Sequence, residues 1–439
     1  VQQAGRHVEA DIEKLAAAAP RWAASSAAER AAMMRELKQT VLAASDDWVH
    51  AASRAKGLRP GSPLEGEEWI SGPWAVLYAL TRYIRTLESI AQHGHPPLPA
   101  IRQEAGGRTI IRVFPRDRYD RLLLSGIHAD VFMQPGVTPN QARAQAGRWY
   151  RKTPPPSVAL VLGAGNISSI APLDILYKMV AEGAVCIVKL NPVNDYLAPV
   201  FERAFRPLLD RDFLKFAYGG ADAGSYLCAH PLVDSIHITG SEQTHNAIAA
   251  AIGTAKPITS ELGNVSPTIV LPGPWTRSDL EFQAQNIATQ KAHNAGFNCI
   301  AAQVLIVPQG WEHTEELLDA IAGVFTSMEQ RPEYYPGSTA RRLSLGGPAH
   351  ALRRMVAVDA NAKEHPAFRE EAFCGVLAQV RIPGNTVSYL SAAVRFANNT
   401  LRGTLGANLV AHPQTIRQHP AAINDAIRDL RYGCVAVNT

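Results

Sequence analysis

The 439-residue chain has only five cysteines, and they are scattered: Cys186, Cys228, Cys299, Cys374 and Cys434 form no CxxC pair and no Cys/His spacing of a zinc site. Odd in number and far apart, they do not read as a disulfide framework, and a reducing, cytoplasmic compartment is the expectation. Cys186, Cys228 and Cys434 fall in strand or helix patterns and are expected in the core, whereas Cys374 has no assigned task. The histidines, including His93 and His95 of HGHPP, have no carboxylate or cysteine at ligand spacing, so no metal is expected. Long apolar runs are missing too. No stretch approaches the ~18 residues that suggest a membrane span, and the N-terminus lacks a signal-peptide pattern. The chain opens on Val1 rather than Met, which leaves its true start open. Charge is nearly balanced, 43 basic against 39 acidic residues for a net +4, and the basic residues do not gather in one run. Neither a nucleic acid nor a membrane partner is demanded.

What is present is a folded composition, 46% apolar with a mean hydropathy of −0.08, in a chain longer than one hydrophobic core usually holds. Residues 1–95 begin with alanine-rich, helix-period segments that read as helices packed on something larger. Residues 96–156 change texture, with Pro/Gly punctuation and short strand-like runs such as RTIIRVF; this is a connecting segment, with oligomerisation as one possible role. From residue 157 a regular alternation sets in: SVALVLG, AVCIVKL, FLKFAYGG and DSIHITG, separated by helical patterns. Such alternation implies a parallel sheet with crossover helices. A second alternation, with SPTIVLPG and AAQVLIVP, follows. The predicted fold class is α/β, a Rossmann-like parallel-sheet cofactor domain over 157–260 joined by the N-terminal helices, and a second α/β catalytic domain over 261–439.

Individual motifs are weak. GAGNIS places Gly163 and Gly165 correctly for a dinucleotide turn but has Ser168 where a third glycine belongs, and the next strand, VCIVKL, ends in Lys189 rather than an acid. Lys189 either meets a ribose or 2'-phosphate or merely caps a strand. In ITGSEQTHNAI, Gly240 and Ser241 open a helix whose N–H groups suit a pyrophosphate, although Ser241 taken singly reads as an ordinary N-cap. Cys299 in GFNC taken alone is either a nucleophile or a small apolar residue.

Read in order, these marks resemble the aldehyde dehydrogenase superfamily: Asn166 in GAGNISS, Lys189 in VKLNP, Gly240 and Ser241 in ITGSE, Glu261 and Gly263 in ELGNVSP, Cys299 in GFNC, and Glu371 with Phe373 in EEAFCGV. The resemblance implies that Cys299 attacks an aldehyde carbonyl, that Asn166 and the Cys299 N–H hold the oxyanion, and that Glu261 activates the water that hydrolyses the resulting thioester. It implies NAD or NADP as cofactor, with Lys189 on the adenosine ribose, Gly240 and Ser241 at the pyrophosphate, Gly263 beside the cofactor, Glu371 on the nicotinamide ribose and Phe373 near its ring. It further implies a small-molecule aldehyde substrate and a homo-oligomer, dimer or tetramer. Glu261 argues against an acylating, coenzyme A-dependent enzyme, and the intact Asn166, Glu261 and Cys299 set argues against a lapsed member serving as a scaffold. Three departures stand out. Pro192 replaces an acid common in NAD-preferring members, His245 stands where glycine is usual, and the chain ends at Thr439, where the family usually runs on through a glycine-rich loop and tail.

Overall fold

The structure, a computed structural model, describes residues 2–104, 106–347 and 353–439. Its framework is two parallel sheets and a small antiparallel one. The first parallel sheet contains β4 (Val158–Leu162), β5 (Val185–Lys189), β6 (Leu214–Ala217), β7 (Ser235–Gly240) and β8 (Ile258–Leu262), in the spatial order β6-β5-β4-β7-β8. β4 and β5 read as unbroken apolar runs because crossover elements cover both faces of such a sheet. The chain steps outward from β4 to β5 and β6, then returns to the other side for β7 and β8. The crevice beyond the carboxyl ends of β4 and β7 is therefore the switch point at which open α/β sheets bind ligands.

The N-terminal helices Gln2–Ala24, Ala27–Ala43, Ser45–Ala55 and Ala75–His93 share a core with this sheet. Fully buried Leu37, Trp48 and Leu80 belong to one apolar cluster with Leu160 and Ile187. The segment punctuated by Pro and Gly folds into an antiparallel sheet of β1 (Ile101–Gln103), β2 (Thr109–Phe114) and β3 (Ala129–Phe132).

The second parallel sheet comprises β9 (Ser266–Val270), β10 (Ala302–Pro308), β11 (Arg353–Ala357), β12 (Gly375–Ile382), β13 (Gly406–Val410) and β14 (Cys434–Val437), ordered β11-β12-β10-β9-β13-β14. Apolar clusters built on Phe368 and Tyr389, and on Ile287 and Leu317, pack against it. Two details differ from the sequence reading. β8 runs through Leu262, so Glu261 lies in the first sheet rather than at the head of the second domain. Cys434 is exposed, not core, because β14 is an edge strand; Cys186, Cys228 and Cys374 are buried.

Candidate active site

The two parallel sheets meet with opposite ends. Asn166 follows β4, Lys189 ends β5, Gly240 ends β7 and Glu261 sits in β8 beside Thr239, all at the carboxyl edge of the first sheet. Gly263 precedes β9, Cys299 precedes β10, and Glu371 and Phe373 precede β12, all at the amino edge of the second. Between these edges lies one cavity of about 690 Å³, and every site residue singled out in the sequence lines it: Asn166, Lys189, Gly240, Ser241, Glu261, Gly263, Cys299, Glu371 and Phe373.

The first-sheet end of the cavity suits an anionic, hydroxyl-rich ligand. Gly165 must be glycine there, since a Cβ would stand 2.7 Å from Asn191 Oδ1, which is itself fixed by accepting the Val193 N–H at 3.0 Å. Lys189 is half-buried and has no ion pair or side-chain hydrogen bond among the described residues, and burial pulls its ammonium below the usual lysine range. An unpaired, partly desolvated cation facing a cavity is a group waiting for a ligand. Ser241 caps the helix Glu242–Ile252, accepting the Thr244 N–H at 3.2 Å. Its hydroxyl thus has a structural task, and the remaining free N–H groups of that first turn are what the helix offers a phosphate. His245 does not line the cavity; its Nδ1 is buried without a partner.

At the other end stands Cys299. Its thiol is pushed up to about 11, first by burial and then by the charge of Glu371, with Glu261 adding to it; the N–H groups of Cys299 and Ile300 pull the other way. Asn166 is buried, and its amide nitrogen donates to the Phe297 carbonyl at 2.9 Å, two residues before the thiol. An amide nitrogen has two N–H donors, and the second is unclaimed among the described residues. Glu261 is exposed and its carboxylate has no ion pair or hydrogen bond among the described residues. Glu371 is the opposite case. Burial raises its carboxyl to about 7 against the pull of the Asn264 N–H and of Arg341 and Lys291, and Oε1 is buried without a partner. Its carboxylate lies over Gly263, where any Cβ would overlap Oε2, which explains that glycine.

The loop that delivers the thiol is strained. Asn294, Ala295 and Gly296 all have positive φ, 50°, 56° and 83°, a conformation that L side chains adopt at a cost of order 1–3 kcal/mol each. Asn294 holds the strain in place. Its N–H donates to Glu67 Oε2 at 2.9 Å, its Nδ2 to the carbonyls of Asn166 (3.0 Å) and Phe297 (3.1 Å), and its Oδ1 accepts from Lys56 (3.1 Å) and Tyr334 (3.0 Å). Behind it Lys56, Glu68 and Arg331 form a buried ion cluster, with Glu68 2.9 Å from Lys56 and 3.1 Å from Arg331. The sequence reading missed this support, and it missed Tyr335 and Arg341, which also line the cavity. Arg341 donates to the Phe373 carbonyl at 3.3 Å, and Phe373 packs its ring 4.8 Å from that of Tyr335. The one available signal was Asn294, a residue type that tolerates positive φ, in a row ending on glycine.

Residues 132–339 match the family model described as the aldehyde dehydrogenase family. Among curated relatives, geranial dehydrogenase of Castellaniella defragrans is 28% identical over 210 residues, covering 45% of this chain and 41% of that protein. The chain thus spans under half the length of that relative. Among solved structures, an NADP-dependent enzyme of E. coli superposes with a TM-score of 0.71 at 18% identity, covering 99% of this chain and 82% of that one. Aldehyde dehydrogenase C of Pseudomonas syringae, in complex with NAD+ and octanal, gives 0.69 at 18% identity, with 99% and 81% covered. Residues 132–339 thus resemble the aldehyde dehydrogenase family in sequence, and over nearly its whole length the chain has the fold of solved aldehyde dehydrogenases.

Proposed function

We propose that this protein oxidises an aldehyde to a carboxylic acid with NAD or NADP, through an adduct on Cys299 that water finally hydrolyses. The observation that carries this reading is the convergence of Asn166, Glu261 and Cys299 on one cavity whose far end is lined by the unpaired Lys189. The residues fit a nicotinamide dinucleotide. Lys189 and the first turn after Ser241 would hold its ribose and phosphates, and Glu371, whose Oε1 lacks a partner, would accept from the second ribose. When bound, such a cofactor supplies a hydride acceptor.

The chain's own groups account for the rest. Cys299 adds to the carbonyl carbon, since a thiolate is a strong nucleophile even as a minority species. The charge that develops on the carbonyl oxygen is met by the free N–H of the Asn166 amide and the backbone N–H of Cys299; losing one such donor typically costs about 10²–10³ in rate. Glu261, with its carboxylate unpaired at the cavity, takes a proton from the water that releases the acyl group from Cys299. Asn166 is already tied to Phe297, so the donor and the nucleophile's loop move as one piece.

A homo-oligomer is part of the proposal. Leu122, Leu123, Ile127 and Val131, in the helix Arg118–Leu123, the turn after it and β3, are each exposed, 76%, 78%, 41% and 44% respectively, apolar side chains suited to covering by a second copy. Solved structures with this fold include an NADP-dependent enzyme and one in complex with NAD+, and either cofactor is compatible with Pro192 following the strand that carries Lys189. The test is a panel of aliphatic, aromatic and carboxylated aldehydes with NAD or NADP, followed by absorbance of the reduced cofactor. Acid product with at least one aldehyde is expected, and no reduction with any of them would overturn the proposal.

A further inference from the structure

His293, six residues before Cys299, has no part in that chemistry, yet its ring is held on both nitrogens. Nδ1 lies 2.8 Å from Asn298 Nδ2. Nε2 lies 3.2 Å from Ser71 Oγ and 4.0 Å from Glu67 Oε2. Asn298 Nδ2 also donates to the His293 backbone carbonyl at 3.2 Å. A carbonyl oxygen only accepts, so the nitrogen of the Asn298 amide, not its oxygen, must face this corner. Nδ1 then has to accept the second N–H of that amide, which places the ring proton on Nε2, toward Ser71 and Glu67.

We propose that His293, as the neutral Nε2–H imidazole, is a positioning residue for the nucleophile: it holds the Asn298 amide and so fixes the adjoining peptide that carries the Cys299 N–H. The inference rests on the aldehyde-oxidising reading of Cys299. Asn298 is buried, and its side chain bonds to no residue but His293 among the described residues. The histidine is therefore its sole tether. Protonating Nδ1 would set N–H against N–H and break the ring's hold on the amide, leaving only the bond to the His293 carbonyl.

The groups around the ring decide when that happens. Glu67 and Glu68 favour the imidazolium, Arg331 and Lys56 oppose it, and burial opposes it most, so the ring stays below the usual histidine range. Neutral His293 at pH 7 and loss of the ring's bond to Asn298 at more acid pH follow.

Two measurements test this. In cofactor-free protein with ¹⁵N-labelled histidine, with the His293 signal assigned by its loss in His293→Gln, Nδ1 should be unprotonated and Nε2 protonated at pH 7.5. A Nδ1–H tautomer or an imidazolium at that pH would overturn the proposal. At saturating cofactor, the fall of kcat/KM for the aldehyde toward acid pH should steepen by a further roughly tenfold per pH unit below the His293 pKa, beyond the slope set by the Cys299 thiol. His293→Gln, whose amide oxygen accepts the same bond without titrating, should lose that steeper acid limb whatever its rate at neutral pH, and Asn298→Ala should lose it as well. An identical limb in wild type and both variants would sink the idea. If the wild type oxidises no aldehyde, the functional reading fails, while the tautomer measurement still decides whether His293 holds Asn298.

Discussion

Asn166 donates its side-chain amide to the carbonyl of Phe297 at 2.9 Å, across 131 residues of chain. One hydrogen bond thereby joins the carboxyl edge of the first sheet to the loop that carries Cys299. Under the proposed function, removing it would cost the oxyanion donor and one of the loop's anchors together. Asn166→Ala should therefore lose more than the roughly 10²–10³ typical of a single oxyanion donor, with a lowered melting temperature alongside. A loss of activity within that range at unchanged melting temperature would separate the two roles.

Cys299 carries a thiol pushed up to about 11 in the free protein. The thiolate is then a fraction of about 10⁻⁴ at pH 7, so alkylation of Cys299 by iodoacetamide, followed on its peptide by mass spectrometry, should be slow. Its rate should rise about tenfold per pH unit up to about 11. Since the Glu371 charge contributes to that shift, Glu371→Gln should speed alkylation at neutral pH. A plateau below pH 8 in the wild type would contradict the balance of burial and charge described for this thiol.

Glu261 has no partner to give up, so its loss should leave folding intact while stopping hydrolysis. Glu261→Gln is expected to reduce about one equivalent of cofactor per active site and then stall, the expected burst signature of an accumulating acyl-enzyme. Rapid mixing with absorbance detection reads this directly. Equal steady rates in wild type and variant would remove Glu261 from the mechanism.

Glu371 titrates at about 7 because burial raises it above the ordinary carboxylate range. The sign follows: below pH 7 the carboxyl is protonated and loses its full capacity to accept from a ribose hydroxyl, and above it the carboxylate is present. Affinity for NAD or NADP, measured by calorimetry, should rise between pH 6 and 8 in the wild type and stay flat over that range in Glu371→Gln.

Gly296 has φ of 83°, and a Cβ there would overlap the Cys374 carbonyl oxygen. Gly296→Ala should destabilise the protein by roughly 1–3 kcal/mol from backbone strain alone, with the thiol displaced as the loop shifts. A lowered melting temperature together with a larger loss of activity than of folded protein is the expected pair of results.

Much of the fold was legible because its signals are local. Apolar runs at β4, β5, β9 and β10 alternate with helical periods, and that pattern alone implies wound parallel sheets. The order of Asn166, Lys189, Glu261, Cys299 and Glu371 along the chain was equally legible, as was the need for glycine at turns. What the residues could not announce is their surroundings. Cys434 sits in a strand like Cys186, and only the position of β14 at a sheet edge exposes it.

The chain alone determined which residue types arrive at the crevice and in what order, since those follow from side-chain chemistry and short-range periodicity. The tertiary structure decided their chemical state. Lys56 reaches Asn294 across 238 residues, Arg331 reaches Glu68 across 263, and Glu371 comes to lie over Gly263 beside Cys299. Burial and charge act through space, at distances that sequence separation does not encode. A cysteine, a glutamate and a histidine of ordinary type therefore become a thiol held protonated, a carboxyl poised near neutrality and an imidazole fixed in one tautomer.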